Sequence, residues 1–471
     1  MSEPTRREKP LDVLVLAAGL GTRMRSATAK VLHEVGGRPL IGYVCRAAAA
    51  LDPEKVVIVV GHQAEDVRAA AIRELAPIIP EFAIQQEQLG TGDAVASARK
   101  IFVGRDSTLL VLSGDVPLIR PETLAALVSR HESHRGRGAA CTVLTVELKD
   151  PTGYGRVIRD SEGRFLKIVE ERDATAVERE INEVNSGIYC FDTRLVFPAL
   201  ERMGNRNAQG EYYLTDVPQI LREEGQDVAI CRHSDSQEIE GVNNRLQLAE
   251  IERLLRRRII RKLMLDYGVT FIDPKTSYVS DNVRFGRDVI IYPNVMIEGA
   301  TEIGDGTIVR SGTRITSSQI GRGVTILDNC VITDSRVDDG CSVGPFAHLR
   351  NGAHLKSGAK VGNFVEVKKS VLGSGSKANH LSYLGDAEIG ENTNIGAGTI
   401  TCNYDGKRKN RTQIGSNVKI GSDTMLIAPV AVGDGAATGA GSVVTRDVEP
   451  GEIVVGVPAR RLKKKDSDSG A

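Results

Sequence analysis

The stretch DVLVLAAGLGTRM (12–24) holds residue types that bind phosphate. Gly19 and Gly21 would let backbone N–H groups approach a phosphate closely, and Arg23 and Lys30 would supply the positive charge that a triphosphate requires. The glycines alone fit an ordinary strand-to-helix turn equally well. The loop matches neither the Walker motif nor G-x-G-x-x-G, so the two cations carry the prediction of a phosphate site.

A carboxylate follows a second apolar run in the same part of the chain. Asp115 comes shortly after residues 108–112, which are predicted to form a strand. Open α/β sheets bind ligands at the carboxyl ends of their strands. A carboxylate at this edge suits Mg²⁺, which bridges protein oxygens to phosphates.

The second candidate for chemistry is His380, in the segment KANHLSYLG. An imidazole can take the proton that an attacking amine must lose, although a lone histidine is more often structural. The nearby insertion TCNYDGKRKNR (401–411) is too polar for a core, so we expect its basic side chains to project toward a phosphate-bearing ligand or a neighbouring subunit. Cys402 has no evident basic partner and is not predicted to be a nucleophile.

The elements that must position these residues differ along the chain. Residues 13–16 are apolar without alternation, which is typical of a buried parallel strand. Residues 244–266 carry apolar side chains at helical spacing and end at Gly268, so they predict a helix. The arginine run 256–258 in this helix is interpreted as a solvated face.

A period of six residues governs the rest of the chain. Aliphatic residues recur at Val337, Val343, Leu349, Leu355, Val361 and Val367, then at Ile389, Ile395, Ile414, Ile420, Leu426 and Val432. This is the hexapeptide repeat of a parallel β-helix, in which three hexapeptides form one triangular coil and stacked coils bury a ladder of side chains. Looser repeats from Val283 indicate that the coils begin near residue 270.

Length and composition exclude several classes of protein. A chain of 471 residues predicts two or three domains. Its 61 basic and 61 acidic residues balance, which argues against nucleic acid or a membrane as partner and favours small molecules. The seven cysteines are odd in number and form no C-x-x-C pair, so a cytoplasmic location is expected.

Specific motifs extend these local patterns to nearly the whole chain. They are LAAGLGTRM with Lys30, QQEQLGTG (85–92), LSGDVPL (112–118), PTGYGR (151–156), IVEERDAT (168–175), EVNSGIY (183–189), QGEYYLTD (209–216), EGVNNRLQL (240–248), GNFVEVKKS (362–370), KANHLSYLGDAEIG (377–390) and NIGAGTITCNYDG (394–406). Together they resemble the bifunctional family of N-acetylglucosamine-1-phosphate uridyltransferases and glucosamine-1-phosphate acetyltransferases.

The resemblance implies an α/β protein in four segments. A Rossmann-like nucleotidyltransferase domain would occupy 1–241 and a linking helix 242–268. A left-handed parallel β-helix with acetyltransferase activity would occupy 269–458, followed by a flexible tail at 459–471. Three chains would assemble into a homotrimer.

In the first domain the resemblance implies transfer of uridylyl from UTP to N-acetylglucosamine 1-phosphate. Arg23 and Lys30 would stabilise charge as the sugar phosphate attacks the α-phosphorus, with Mg²⁺ on Asp115 and Asn243. The residues implied to bind UTP and UDP-N-acetylglucosamine are Leu16, Ala17, Ala18, Gly19, Lys30, Gln85, Gly90, Thr91, Gly155, Glu170, Asn185, Tyr213, Thr215 and Asn243.

Three of these residues also have simpler interpretations. Gln85 fits a surface glutamine, Tyr213 fits a core aromatic with a satisfied hydroxyl, and Asn243 fits a helix cap. The chain departs from the family at Ala29, where a proline commonly precedes the lysine. Without the fixed φ of proline, this loop is expected to be less stiff.

In the second domain the resemblance implies acetyl transfer from acetyl-CoA to glucosamine 1-phosphate. His380 would be the general base and Glu366 the carboxylate that supports it. The residues implied to bind the sugar phosphate are Arg350, Lys368, Tyr383 and Asn394, while Ala397, Asn403, Tyr404, Ser422 and Ala440 would bind acetyl-CoA. Lys409 is a further candidate from the insertion, and Arg350 alone would also fit a surface guanidinium.

The resulting prediction is a bifunctional enzyme of UDP-N-acetylglucosamine synthesis, whose product would feed cell-wall building in bacteria. One alternative is a monofunctional nucleotidyltransferase with a structural or regulatory β-helix. A non-catalytic subunit that uses both folds for binding is the other. His380 and the insertion argue against the first alternative, because a bare scaffold needs neither.

Overall fold

The computed structural model describes residues 9–136 and 138–462. Residues 463–471, the greater part of the predicted tail, lie outside the described residues. The chain forms two compact units, Met1–Leu255 and Arg256–Ala471. The boundary falls inside a helix at Arg245–Asp266, where the apolar spacing predicts one.

The first unit is built on a nine-stranded sheet. Its strands are β1 (Leu11–Leu16), β4 (Lys55–Val60), β5 (Glu81–Ile84), β6 (Thr108–Ser113), β7 (Cys141–Glu147), β8 (Arg156–Arg159), β9 (Phe165–Val169), β10 (Glu183–Asp192) and β11 (Val228–His233), while β2 (Glu34–Val35) and β3 (Arg38–Pro39) form a separate hairpin. The strand order is β11-β7-β10-β6-β1-β4-β5, with β8 joined to β10 and β9. Because β1 runs parallel to both β4 and β6, their carboxyl ends reach one edge of the sheet.

Helices pack around this sheet. They are α1 (Leu40–Ala49), α2 (Ala64–Leu75), α3 (Thr91–Ser97), α4 (Arg99–Phe102), α5 (Pro121–Glu132), α6 (Ala176–Arg179), α7 (Thr193–Leu200) and α8 (Val217–Glu223), with 3₁₀ turns at Thr22–Met24, Lys30–Leu32, His134–Gly136, Leu214–Asp216 and Ser236–Ile239. The helix that follows them, α9 (Arg245–Asp266), continues into the second unit. Val13 and Val15 belong to one buried apolar cluster and Leu14 to another. Because β1 is covered on both faces, its apolar run does not alternate with polar residues.

The second unit is a parallel β-helix with three faces. Face 1 consists of Thr270–Phe271, Ile290–Ile291, Ile308–Val309, Thr325–Ile326, Ser342–Val343, Lys360–Asn363, Lys377–His380, Asn394–Ile395, Lys419–Ile420, Ala437–Thr438, Ile453–Val455 and Arg460–Arg461. Face 2 consists of Tyr278–Val279, Met296–Glu298, Arg314–Thr316, Val331–Thr333, His348–Arg350, Glu366–Lys368, Tyr383–Gly385, Ile400–Cys402, Met425–Ile427 and Val443–Val444. Face 3 consists of Arg284–Phe285, Glu302–Ile303, Gln319–Ile320, Arg336–Val337, His354–Leu355, Val371–Leu372, Ala387–Ile389, Thr412–Ile414 and Val430–Val432.

Most coils of this helix bury one aliphatic side chain per face, and threonine takes the inward position at Thr401 and Thr438. On face 2, Leu349, Val367 and Leu384 come from successive coils, pair in register and are fully buried. Their strand neighbours, such as His348, face away from the core. Within residues 9–136 and 138–462, no helix combines the length and the apolar character required to cross a bilayer.

We predict that Leu349→Ala lowers the free energy of unfolding by about 2–5 kcal/mol, because it leaves a cavity in the closely packed interior. Urea-induced unfolding followed by circular dichroism measures this quantity. The matched control is Val331→Ala on the neighbouring strand of face 2, where the side chain is 40% exposed and the expected change is within about 0.5 kcal/mol. If both variants lost the same free energy of unfolding, the result would contradict a ladder of inward-facing aliphatic side chains on face 2.

Candidate active sites

Three loops of the first unit meet at the carboxyl ends of β1, β4 and β6. The N–H of Ala17 donates to the carbonyl of Val59 at 2.9 Å, and the N–H of Gly114 donates to the carbonyl of Leu16 at 2.9 Å. The loop after β4 also lies close, because a Cβ added at Gly61 would be 2.8 Å from the carbonyl oxygen of Ala18. These contacts hold the predicted phosphate loop at the sheet edge.

A charged cluster at this edge joins residues from four segments. The ammonium of Lys30 lies 2.5 Å from Oδ2 of Asp115 and 3.3 Å from Oδ1 of Asn243. Arg23 donates to the same Asn243 oxygen at 3.1 Å. The N–H of Val242 donates to the carbonyl of Asp115 at 3.0 Å, which fixes the Asn243 segment against the Asp115 loop. The structure therefore brings together all four residues predicted for phosphate and metal.

The oxygens in this cluster fit a magnesium ion. Carboxylate and amide oxygens are ligands that Mg²⁺ accepts, and the ammonium of Lys30 already lies between the Asp115 and Asn243 oxygens, so the position attracts a cation. Among the described residues there is no group of three or more His, Cys, Asp or Glu side chains that could hold a metal. Water and phosphate oxygens would complete the shell of a magnesium ion held here.

Gln85 lies inside the protein rather than on its surface. Its side chain is buried, so the interpretation as a surface glutamine is wrong. Its Nε2 donates to the carbonyl of Gly90 at 3.1 Å and to Asp93 at 2.8 Å. Thr91 accepts from the N–H of Leu214 at 3.1 Å. Gln85, Gly90 and Thr91 thus lie in one polar corner, and their recognition of a base stays a prediction.

Three of the residues predicted to bind the sugar line a cavity of about 340 Å³. Glu170, Tyr213 and Thr215 are in its wall, and burial raises the pKa of the Glu170 carboxyl. The Tyr213 hydroxyl is buried and has no hydrogen-bond partner among the described residues, and burial raises the pKa of Tyr213 to about 12. A buried hydroxyl without a partner is costly, so this one is better explained by a ligand than as a satisfied core group.

Gly155 and Asn185 complete the same region through the backbone. A Cβ at Gly155 would lie 3.3 Å from Oε1 of Glu170, so the glycine leaves space beside that carboxylate. The N–H of Asn185 donates to the carbonyl of Gly155 at 2.9 Å. Asn185 is not in the wall of the cavity itself, and its Oδ1 accepts from the N–H of Gly187 at 3.2 Å.

In the second unit, coil stacking aligns the candidate residues of face 2. Arg350 is in register with Lys368, and Glu366 is in register with Tyr383. The guanidinium of Arg350 contacts Oε1 of Glu366 at 2.7 Å through Nε and at 2.5 Å through Nη2. The described contacts of Glu366 thus involve Arg350 and not His380, which differs from the expected support of the histidine.

His380 has a different partner. Asn363, in register on face 1, places its Oδ1 2.7 Å from Nδ1 of His380. An amide oxygen only accepts hydrogen bonds, so Nδ1 carries the proton and Nε2 is the basic nitrogen. Because His380 is exposed, this nitrogen can receive a proton from a bound amine.

The insertion returns to the coils at the same place. Asn403 donates to Asp386 at 2.5 Å and to the Tyr383 hydroxyl at 3.5 Å. Lys409 lies beside Lys368, and its ammonium lowers the pKa of Lys368. Two ammonium groups this close disfavour each other's charge unless an anion lies between them, so the geometry supports a phosphate site.

The small residues predicted to contact acetyl-CoA occupy corresponding corners of successive coils. The N–H of Asp423 donates to the carbonyl of Ala397 at 2.6 Å, and the N–H of Gly441, next to Ala440, donates to the carbonyl of Ser422 at 2.8 Å. These corners form a row of small side chains along which an extended ligand can lie.

Two further candidates, Asn394 and Tyr404, and the excluded Cys402 lie on or beside these positions. Asn394 is exposed on the face 1 strand after His380. Tyr404 is 61% exposed on the insertion and donates to the carbonyl of Gly406 at 2.7 Å. Burial raises the pKa of the Cys402 thiol, which agrees with its exclusion as a nucleophile.

Several residues at the two sites were missed by sequence reasoning. Asn363 and Asp386 contact predicted residues directly, as does Asp93 in the first unit. A signal existed for Asn363, because it precedes His380 by 17 positions, which is close to one coil. No comparable period connects Asp93 with Gln85.

Both units match known proteins. Residues 12–236 match the family model described as Nucleotidyl transferase, and residues 282–317 and 411–446 match the model described as Bacterial transferase hexapeptide (six repeats). The predicted fold class, a Rossmann-like nucleotidyltransferase domain followed by a left-handed parallel β-helix, is confirmed.

Relatives cover nearly the whole chain. "Bifunctional protein GlmU" of Pelobacter propionicus is 49% identical over 444 residues, covering 94% of this chain and 95% of the relative. The protein of the same name from Heliobacterium modesticaldum is 49% identical over 457 residues, covering 97% of each. The one from Corynebacterium aurimucosum is 47% identical over 444 residues, covering 94% and 90%.

We predict that Asn363→Ala lowers the rate constant of the reaction at His380 by about 10- to 100-fold, because the imidazole loses the partner that fixes its tautomer and orientation. Free-thiol release from acetyl-CoA in the presence of glucosamine 1-phosphate measures this rate. The matched control is Asn417→Ala, on an exposed turn of another coil, which should retain the parental rate. An unchanged rate in Asn363→Ala would show that the hydrogen bond does not matter to the reaction.

Proposed function

The chain belongs to the bifunctional GlmU family, and we propose that each of its two units carries one complete chemical step. The family establishes an enzyme that combines uridyltransferase and acetyltransferase activities, and it favours this function over a monofunctional enzyme with a passive β-helix. The proposed order is acetylation of glucosamine 1-phosphate in the second unit, then uridylyl transfer in the first unit to give UDP-N-acetylglucosamine.

In the first unit, a phosphate oxygen of N-acetylglucosamine 1-phosphate attacks the α-phosphorus of UTP, and pyrophosphate leaves. Arg23 and Lys30 stabilise the negative charge that spreads over the phosphate oxygens. The oxygens of Asp115 and Asn243 would hold Mg²⁺, which supplies further positive charge when bound. Glu170 and Tyr213 orient the sugar from the cavity wall.

In the second unit, the amine of glucosamine 1-phosphate attacks the thioester carbon of acetyl-CoA. His380 Nε2 takes the proton that the nitrogen loses as the N–C bond forms, and coenzyme A leaves as the C–S bond breaks. Arg350, Lys368 and Lys409 bind the substrate phosphate. Glu366 keeps the Arg350 guanidinium in place through its ion pair.

The observation that carries the proposal is the separation of the two clusters. Lys30, Asp115 and Asn243 meet within Met1–Leu255, whereas the His380–Asn363 contact and the Arg350–Glu366 pair both lie within Arg256–Ala471. Each unit therefore supplies the cations and polar groups of one reaction from its own residues.

We also propose a homotrimer. The stacked rings of Phe346 and Phe364, with centroids 5.3 Å apart, are 49% and 56% exposed. Leu381, next to His380, is 62% exposed. Exposed apolar groups grouped on neighbouring coils are typical of an interface, and sedimentation equilibrium tests the assembly. A cytoplasmic location is proposed as well, because the described cysteines are all free thiols.

We predict that His380→Ala reduces acetyl transfer by about 10²- to 10⁴-fold, the range for loss of a general base, and leaves uridylyl transfer intact. Thiol release from acetyl-CoA and pyrophosphate release from UTP measure the two reactions. The matched control is His354→Ala, on face 3, which should retain both activities. Parallel loss of both activities in His380→Ala would contradict two independent sites.

We predict that Asp115→Asn reduces uridylyl transfer by at least about 100-fold and raises the Mg²⁺ concentration needed for half-maximal rate, because one anionic ligand is lost. Acetyl transfer should be unchanged. Asp106→Asn, at an exposed carboxylate paired with Lys9, is the matched control. A normal Mg²⁺ dependence in Asp115→Asn would contradict the assignment of Asp115 as a metal ligand.

A further inference from the structure

Gln63 has an unusual backbone conformation beside the phosphate loop. It follows β4 and precedes α2, with φ 52° and ψ 44°, in the left-handed region. Residues other than glycine, asparagine and aspartate are uncommon there. The Gln63 side chain does not cap α2, so the helix does not account for this conformation.

Both polar atoms of the Gln63 amide bind the backbone that precedes Lys30. Oε1 accepts from the N–H of Ala29 at 2.5 Å, and Nε2 donates to the carbonyl of Ala27 at 2.7 Å. We call this pair of hydrogen bonds the Gln63 clamp. Two bonds from one planar amide fix both the position and the orientation of the segment.

The Gln63 clamp ends at the residue before Lys30, whose own position is tightly constrained. Lys30 begins the turn Lys30–Leu32, and its ammonium reaches Asp115 at 2.5 Å. On the other side, a Cβ added at Gly21 would lie only 2.7 Å from the Cβ of Lys30. The phosphate loop and the clamp therefore hold Lys30 from two directions.

The clamp uses a hydrogen that proline lacks. Ala29 has φ −55° and ψ 141°, and its φ is within the range that a proline ring imposes. A proline at this position would restrict φ by itself but would leave Oε1 of Gln63 without its donor. In this chain the hydrogen bond to Gln63 supplies the restriction that the alanine does not.

We propose that Gln63 is a positioning residue for uridylyl transfer, which acts by holding residues 27–29 so that the Lys30 ammonium stays at the triphosphate. The inference rests on the proposed uridyltransferase function and on the role of Lys30 in it. Gln63 itself is not proposed to contact UTP or the sugar phosphate.

The test is a double-mutant cycle measured by pyrophosphate release from UTP and N-acetylglucosamine 1-phosphate. Gln63→Ala should lower kcat/KM by about 10-fold, as expected when a catalytic group is misplaced. In a Lys30→Ala background the same change should alter the residual rate by less than about twofold, because the group that the clamp positions is gone. Acetyl transfer should be unchanged in every variant, and Gln237→Ala, at an exposed glutamine, should behave as the parent.

A rescue experiment separates positioning from folding. Ala29→Pro added to Gln63→Ala should restore at least half of the parental kcat/KM, because the ring replaces the lost restriction on φ. Gln63→Glu, which keeps the size of the side chain but turns a carboxylate oxygen toward the Ala27 carbonyl, should be as impaired as Gln63→Ala.

Three results would overturn the proposal. The first is a kcat/KM for uridylyl transfer in Gln63→Ala that stays within twofold of the parent. The second is a Gln63→Ala change that lowers the residual rate as much in the Lys30→Ala background as in the parent. The third is a loss of acetyl transfer or of thermal stability that accounts for the whole effect of Gln63→Ala. A parent enzyme that releases no pyrophosphate from these substrates would instead overturn the proposed uridyltransferase function, and this inference with it.

Discussion

Both sites depend on hydrogen-bonded pairing between parallel strands. In the first unit, β1 lies between β4 and β6, and backbone bonds from Ala17 to Val59 and from Gly114 to Leu16 extend this pairing into the loops. In the second unit, the same type of pairing places Asn363 beside His380. Parallel pairing brings equivalent ends of strands together, so residues far apart in sequence reach one place without a dedicated loop for each.

Positive charge collects at both places, at a cost to the folded state. Lys368 and Lys409 lie close enough for one ammonium to lower the pKa of the other, and Lys30 shares the Asn243 oxygen with Arg23. Like charges at short distance repel each other. Carboxylates next to each cluster offset part of this repulsion, and a bound phosphate would offset more. The clusters are therefore better explained by anionic substrates than by stability of the fold.

The β-helix could be predicted from sequence because burial in a coil is a local property. Leu349 and Val367 were expected inside from the six-residue spacing, and both are fully buried. Side-chain pairing was harder to predict. The Asn243–Lys30 contact spans 213 positions, and no spacing rule connects them. Glu366 was expected to support His380, but its contact with Arg350 depends on which way two neighbouring side chains turn on face 2, and backbone register leaves this choice open.

The two sites differ in how much their residues depend on individual contacts. In the first unit the chemical groups are on loops, and separate hydrogen bonds hold the Asn243 segment to Asp115 and residues 27–29 to Gln63. A loop contact can replace another restriction on the backbone. At position 29, the hydrogen bond from Ala29 to Gln63 takes the place of the fixed φ that a proline would give. On a coil, a one-residue slip would exchange the inward and outward positions of the strand that carries His380, so its buried Ala378 would turn out of the core. Substitutions at the first site should therefore occur as compensating pairs of residues. At the second site, the register between the strands of successive coils must itself be kept.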